Sequence, residues 1–476
     1  MNLFIKRTAP ALGLLGLGLA SCQPDIDAPS VSAGSADFSS YVAVGNSLTA
    51  GFSDGGLYNE AQATSYPAIL AQQFAKTGKG PASFVQPSFS PARKDGSGYL
   101  KLLLVNGALA PVQPTAGPPP NGNNFLGEQV AYTGSNLPRP PLGSGQAELE
   151  AYNGTQPDNL GVPGISVLSA DRTAASTGSA ALDAATRATA GAYGNVNPFY
   201  QRILPAADRG TKDYVTYIGQ KNASFFTCWM GNNDVLTYAT AGGTSSLATN
   251  PFSGLTDTTS FGRGYRNIVN TISKGGTVKG VCANIPNVAN IPYFTTVTVA
   301  AVLARYQAAN VPITTIYVQA RTSATTTTTA TRPATATDLL TLTTLAYIAA
   351  NPGVGASPTA PILSQYVLDP IEQAEVVNRT TQLNNIIAKT ARQNKVALAD
   401  MNVFFNSVVQ QGIVTNTVNN TAMFASGNLF SLDGVHPTPR GYALVANEFI
   451  RVINGFYGAS VPTVNPNDYR GVVFPQ

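Results

Sequence analysis

Four short apolar runs, each closed by a turn-forming residue, constrain this chain more than any other feature. Tyr41-Val42-Ala43-Val44 runs into Gly45, and Phe225 to Met230 runs into Gly231. Gly280 to Ile285 carries Val281-Cys282-Ala283 before Pro286, and Val396 to Ala399 ends at Asp400. Runs this short, without polar alternation, fit strands buried on both faces, as in a parallel sheet. Helical spacings lie between them: Tyr66 to Phe74, Phe261 to Ser273, Pro370 to Gln393 and Gly441 to Ile453. In the second of these, a helical period places Tyr265, Ile268, Val269 and Ile272 on one side. Alternation of strand and helix predicts an α/β chain, a three-layer α/β/α sandwich around a central parallel sheet. Asn159 to Gly164 reads as a further strand passing into a loop.

Two stretches interrupt the alternation. Residues near 90–155 contain Pro118-Pro119-Pro120, Pro138 to Pro141 and many Gly and Asn, the composition of a long irregular insertion. Tyr99 to Val105 is expected to form a hairpin strand within it. Residues near 295–365 form a second, cap-like insertion whose run Thr325 to Thr329 is expected to be a mobile loop. The main domain thus spans 38–460, followed by a C-terminal extension over 461–476. Charged residues make up only 11% of the 476, so Thr, Ser, Asn, Gln and Gly must supply surface polarity. The net charge is +4 and no Lys/Arg run exists, which argues against a nucleic-acid partner. Oligomeric state is not legible.

Residues 1–21 read as a signal peptide rather than as fold. Lys6 and Arg7 precede the apolar run Ala9 to Ala20, which is too short to span a bilayer. The run ends in Leu19-Ala20-Ser21-Cys22, which resembles the lipobox of bacterial lipoproteins. That resemblance implies acylation of Cys22 and an extracytoplasmic, membrane-anchored location, in bacteria the outer membrane. Residues 22–37, rich in Pro, Ser, Ala and Gly, are expected to be a flexible tether. Cys228 and Cys282 sit in apolar runs and are expected to be reduced core thiols; with no His nearby they make no zinc site. Trp229, the single tryptophan, is expected in the core.

The chain has one histidine, His436, within Asp433-Gly434-Val435-His436. At i and i+3 in a turn the two side chains can meet, so that Asp433 accepts a hydrogen bond from the Nδ1–H and leaves Nε2 as a base. Gly45-Asn46-Ser47-Leu48 follows the first strand and places Ser47 at the carboxyl edge of the sheet, where open α/β sheets bind ligands. Gly231-Asn232-Asn233-Asp234 ends another strand at that edge, and Asn233 offers an uncharged amide donor for an oxyanion. Gly164, or Gly161 three residues earlier, offers a backbone N–H without a blocking side chain.

These blocks, in this order, resemble the SGNH/GDSL hydrolase family over roughly residues 38–460. The resemblance implies a flavodoxin-like sandwich with Ser47 as nucleophile and Asp433 and His436 completing the triad. The N–H groups of Ser47 and Gly164 with the Asn233 amide match the oxyanion hole. Asn46 departs from the Asp usual in the nucleophile block. The implied activity is ester hydrolysis through an acyl-enzyme, without metal or other cofactor, on a lipid, a small ester or an acetylated glycan. The alternative is a catalytically silent surface binding lipoprotein on the same fold.

Overall fold

The computed structural model describes residues 30–105, 108–112, 149–171, 197–209, 211–245 and 252–475. The signal peptide and Cys22 lie outside the described residues, as do the prolines at 118–120 and 138–141. Five strands form the central sheet: β1 (Tyr41–Gly45), β2 (Asn159–Gly161), β3 (Phe225–Trp229), β4 (Lys279–Ala283) and β5 (Ala397–Ala399). Their spatial order is β5-β4-β3-β1-β2, every pair parallel. This is the flavodoxin-like order, with its topological switch between β1 and β3. The α/β sandwich expected from the alternation is the fold observed.

The two faces of the sheet separate by the period of two along each strand. Val42, Val44, Phe226, Cys228 and Cys282 face one core with Phe261, Tyr265, Ile268 and Val269 of α3 (Thr258–Ile272), and with Val376, Leu383 and Ile387 of α4 (Pro370–Gln393). Tyr41, Ala43, Phe225, Trp229 and Val281 face the other. There they meet Ile69, Leu70 and Phe74 of α1 (Tyr66–Ala75) and Tyr442, Phe449 and Ile453 of α5 (Pro439–Tyr457). A short helix, α2 (Asn233–Thr240), follows β3. Helix ends are encoded locally. Asp369 caps α4 by accepting from the N–H groups of Ile371 and Glu372, and Glu372 bonds back in a capping box. Thr438 caps α5, which has Pro439 in its first turn and closes on Gly458.

Cys228 and Cys282 are register partners on β3 and β4, both buried and unbonded. Trp229 is buried and its indole N–H donates to the Asn284 carbonyl at 3.0 Å.

Two segments differ from expectation. The stretch read as tether is docked over its last residues, because Ala33 and Ala36 are small enough to bury against the end of α5. Backbone bonds from Ser35 to Tyr457 and from Ser460 to Ser32 fix it there. The Thr325 run, expected as a mobile loop, leads into an antiparallel hairpin of Tyr317–Arg321 with Thr329–Pro333. Arg321 holds it by donating to the Thr326 carbonyl at 2.9 Å. The cap-like insertion containing it has its own core of Val302, Ile316, Val318, Leu340 and Ile362. In the earlier insertion, Lys101–Val105 pairs antiparallel with Ala108–Val112.

Candidate active site

All five strands are parallel, so their carboxyl ends share one edge, and the candidate site lies there. β1 ends at Gly45, where a Cβ would run into the Thr49 side chain and the Trp229 carbonyl. Glycine therefore lets the chain turn tightly into the single helical turn Ser47–Ala50. Asn46 supports that turn, its Oδ1 accepting from Leu48 N–H at 3.1 Å. The Asp usual at this position could accept the same bond, so the replacement leaves the turn intact.

Ser47 and His436 meet across nearly the whole chain. Ser47 Oγ lies 2.8 Å from His436 Nε2, and His436 Nδ1 lies 2.9 Å from Asp433 Oδ2. A carboxylate can only accept, so the ring proton sits on Nδ1 and Nε2 faces the serine hydroxyl as an acceptor. Asp433 is held on both oxygens. Oδ1 accepts from the N–H groups of Val435 and His436, each at 2.8 Å, and from Ser431 Oγ at 3.1 Å. Burial by itself would raise the Asp433 carboxyl, but the His436 imidazole beside it and the hydrogen bonds from His436 and the Val435 N–H hold it below the ordinary carboxylate range. The Phe52 ring packs 4.8 Å from the imidazole and helps fix its plane.

A second set of bonds joins the turns after β2 and β3. Asn233 donates Nδ2 to the Ile165 carbonyl at 2.8 Å. An amide nitrogen carries two protons, so one remains for a substrate oxygen. Asp234 accepts from Val167 N–H at 2.8 Å and Leu168 N–H at 3.4 Å, tying the glycine loop to the start of α2. Burial outweighs these bonds and pushes the Asp234 carboxyl up to about 6. The two glycines are told apart. Gly161 is paired with Gly45, and a Cβ on it would strike the Ala50 backbone; Gly164 is exposed at φ +77°, where a Cβ would meet only the Asn197 amide at 3.6 Å.

A pocket opens beside the serine. Ser47, His436, Asn232 and Asn233 line it together with Leu48, Leu236, Val288, Ile291 and Phe405. Gly164 is not part of its wall. Ser47, Asp433, His436 and Asn233 are therefore brought together as the sequence indicates, whereas Gly164 sits beyond the pocket on the adjoining loop. Sequence reasoning missed Ser431 and Gly55, which bond Asp433, and Asp234, which fixes the loop. Asp234 was visible as the last residue of its motif; nothing local marks the other two. Among the described residues no group of His, Cys, Asp and Glu has the makeup of a metal site.

A parallel α/β/α sandwich with a Ser–His–Asp chain at the carboxyl edge, beside the switch point, is the architecture of the SGNH hydrolases. The chain belongs to the GDSL-like Lipase/Acylhydrolase family, whose model matches residues 41–449. Hydrolysis of ester bonds is the activity that membership implies in general terms. Comparison with curated proteins and with solved structures found no match.

Proposed function

We propose that this chain is a serine ester hydrolase, anchored to a membrane outside the cytoplasm through acylated Cys22. The observation that carries the catalytic part is the unbroken hydrogen-bond chain from Ser47 Oγ through His436 to Asp433. Ser47 Oγ attacks the ester carbonyl while its proton passes to His436 Nε2, and Asp433 stabilises the resulting imidazolium. The oxyanion is held by the Ser47 N–H and by the second amide proton of Asn233, and the family resemblance adds the N–H of Gly164 from the adjoining loop as a further donor. Collapse expels the alcohol, which takes the proton from His436. Water then attacks the acyl-enzyme with His436 again as base, releasing the acid and restoring Ser47.

The apolar pocket wall supports an acyl chain as the bound group rather than a glycan ring. A silent binding protein on this fold has no need of the Asp433–His436 pair, so the same geometry favours the hydrolase. Labelling with a fluorophosphonate tests the reading: the native protein should be labelled at Ser47 and the Ser47→Ala variant should not. Absence of labelling in folded native protein would reject an activated serine.

A further inference from the structure

Three residues enter α2 in succession, and two have committed side chains. Asn233 bonds the Ile165 carbonyl, and Asp234 bonds the N–H groups of Val167 and Leu168. Asn232 does neither. It stands at the N-cap position, where an Asn side chain normally accepts from the first turn, yet it makes no capping bond. It is 5% exposed and lines the pocket beside Ser47. Neither its Nδ2 nor its Oδ1 has a hydrogen-bond partner among the described residues. Among those residues it is the one side-chain amide left unpaired at both its nitrogen and its oxygen. Around it the wall is apolar, with Leu48, Leu236, Val288, Ile291 and Phe405, and no Lys, Arg, Asp or Glu lines it.

A buried amide unpaired at both ends is unfavourable unless something entering the pocket satisfies it. A substrate group that reaches the amide and pairs both atoms recovers that cost. A plain alkyl chain pairs neither. With no charged group on the wall, the matching group on the substrate is neutral. The acyl part stays attached to Ser47 through both chemical steps, so it is the part that occupies this pocket throughout.

We propose that Asn232 is a specificity residue and that the substrate is an ester whose apolar acyl chain carries a hydroxyl or amide near the carbonyl. That group donates to Oδ1 and accepts from Nδ2 of Asn232. The proposal rests on the ester hydrolase reading, and its test separates the two.

The test compares p-nitrophenyl hexanoate with p-nitrophenyl 3-hydroxyhexanoate, each rate normalised to cleavage by hydroxide. In the native enzyme kcat/KM should favour the hydroxy ester by about tenfold or more, as for sites built to pair a substrate hydroxyl. In Asn232→Leu, which replaces the amide by an apolar group of similar size, that preference should vanish or invert. An equal ratio in both proteins overturns the proposal. So does an equal loss on both esters in the variant, which would make Asn232 an oxyanion donor instead. Binding of methyl hexanoate and methyl 3-hydroxyhexanoate to Ser47→Ala by calorimetry supplies a readout free of turnover. A preference for the hydroxy ester there supports the Asn232 assignment even if the native protein hydrolyses nothing, a result that would sink only the hydrolase reading. Should Asn232→Leu fail to fold, lack of preference in both the native protein and Ser47→Ala overturns the proposal.

Discussion

Gly55 donates its backbone N–H to Asp433 Oδ2 at 2.8 Å, the same oxygen that faces His436 Nδ1. The turn after Ser47 thereby fixes the acid as well as the serine. The neighbouring Asp54 strengthens the link: its N–H donates to Ser431 Oγ at 2.8 Å, and its Oδ1 accepts from Leu432 N–H at 3.1 Å. Arg470, from the C-terminal extension, reaches this cluster by donating to Tyr58 Oη at 2.8 Å, and Tyr58 donates in turn to Asp54 Oδ2 at 2.8 Å.

Ser431→Ala removes one of the donors to Asp433, leaves the others, and also takes the acceptor from the Asp54 N–H, so thermal unfolding is measured beside the kinetics. One hydrogen bond is worth about 0.5–1.5 kcal/mol, so kcat/KM should fall by roughly two- to tenfold. Steady-state kinetics checks this. A loss as deep as that of Asp433→Asn would mean that Ser431 takes part directly in the chemistry.

Ser47→Ala and His436→Ala should each remove nearly all esterase activity; Ser47→Ala should unfold close to the native temperature, whereas His436→Ala, which deletes a buried ring and leaves the Asp433 carboxylate without it, should unfold lower. Asp433→Asn should also be severe, since the corresponding loss in a serine protease is about 10⁴-fold in kcat. Retention of a substantial share of kcat by any of the three would refute the triad.

Asn233→Ala should lower kcat by about 10²–10³-fold with little change in KM, the signature of an interaction made only in the transition state. It also removes the bond to Ile165, so loop displacement must be checked by amide exchange. A rise in KM with kcat held would assign Asn233 to ground-state binding.

Glu372, in the capping box of α4, gives a pH effect of definite sign. Burial chiefly, with Asp369 and Glu375 nearby, raises its carboxyl from 4.5 to about 8 against the pull of the Asp369 N–H and Arg321. A folded-state value above the unfolded one means that its stabilising contribution is complete below 4.5 and is lost as pH rises through about 8. Glu372→Gln keeps a neutral side chain there. Its melting temperature should exceed that of the native protein above pH 8 and converge with it towards acid. A constant difference across this range would exclude Glu372 as the titrating group.

Cys22→Ser should prevent acylation and release the protein from the membrane fraction with its esterase activity intact. Among the described residues no helix is long and apolar enough to cross a membrane. Continued membrane association of the variant would place the contact elsewhere in the chain.

Much of this protein was decided within short stretches of sequence. The buried strands were legible because continuous apolar runs suit a backbone covered on both faces, and the ends of α4 because Asp369 and Glu372 cap within one turn. The Asp433–His436 pair was legible for the same reason, since three residues of separation in a turn are enough to bring them together. What joined Ser47 to His436, 389 positions apart, was the order of the strands, which no local pattern encodes. The same holds for Gly55, whose N–H finds Asp433 only after the sheet has closed the two turns on each other. The docking of Ala33 and Ala36 on α5, and the packing that separates Gly161 from Gly164, likewise depend on distant surfaces. Periodicity and capping act over one or two turns of chain, whereas a site assembled at the edge of a parallel sheet depends on contacts that form only when separated strands lie side by side.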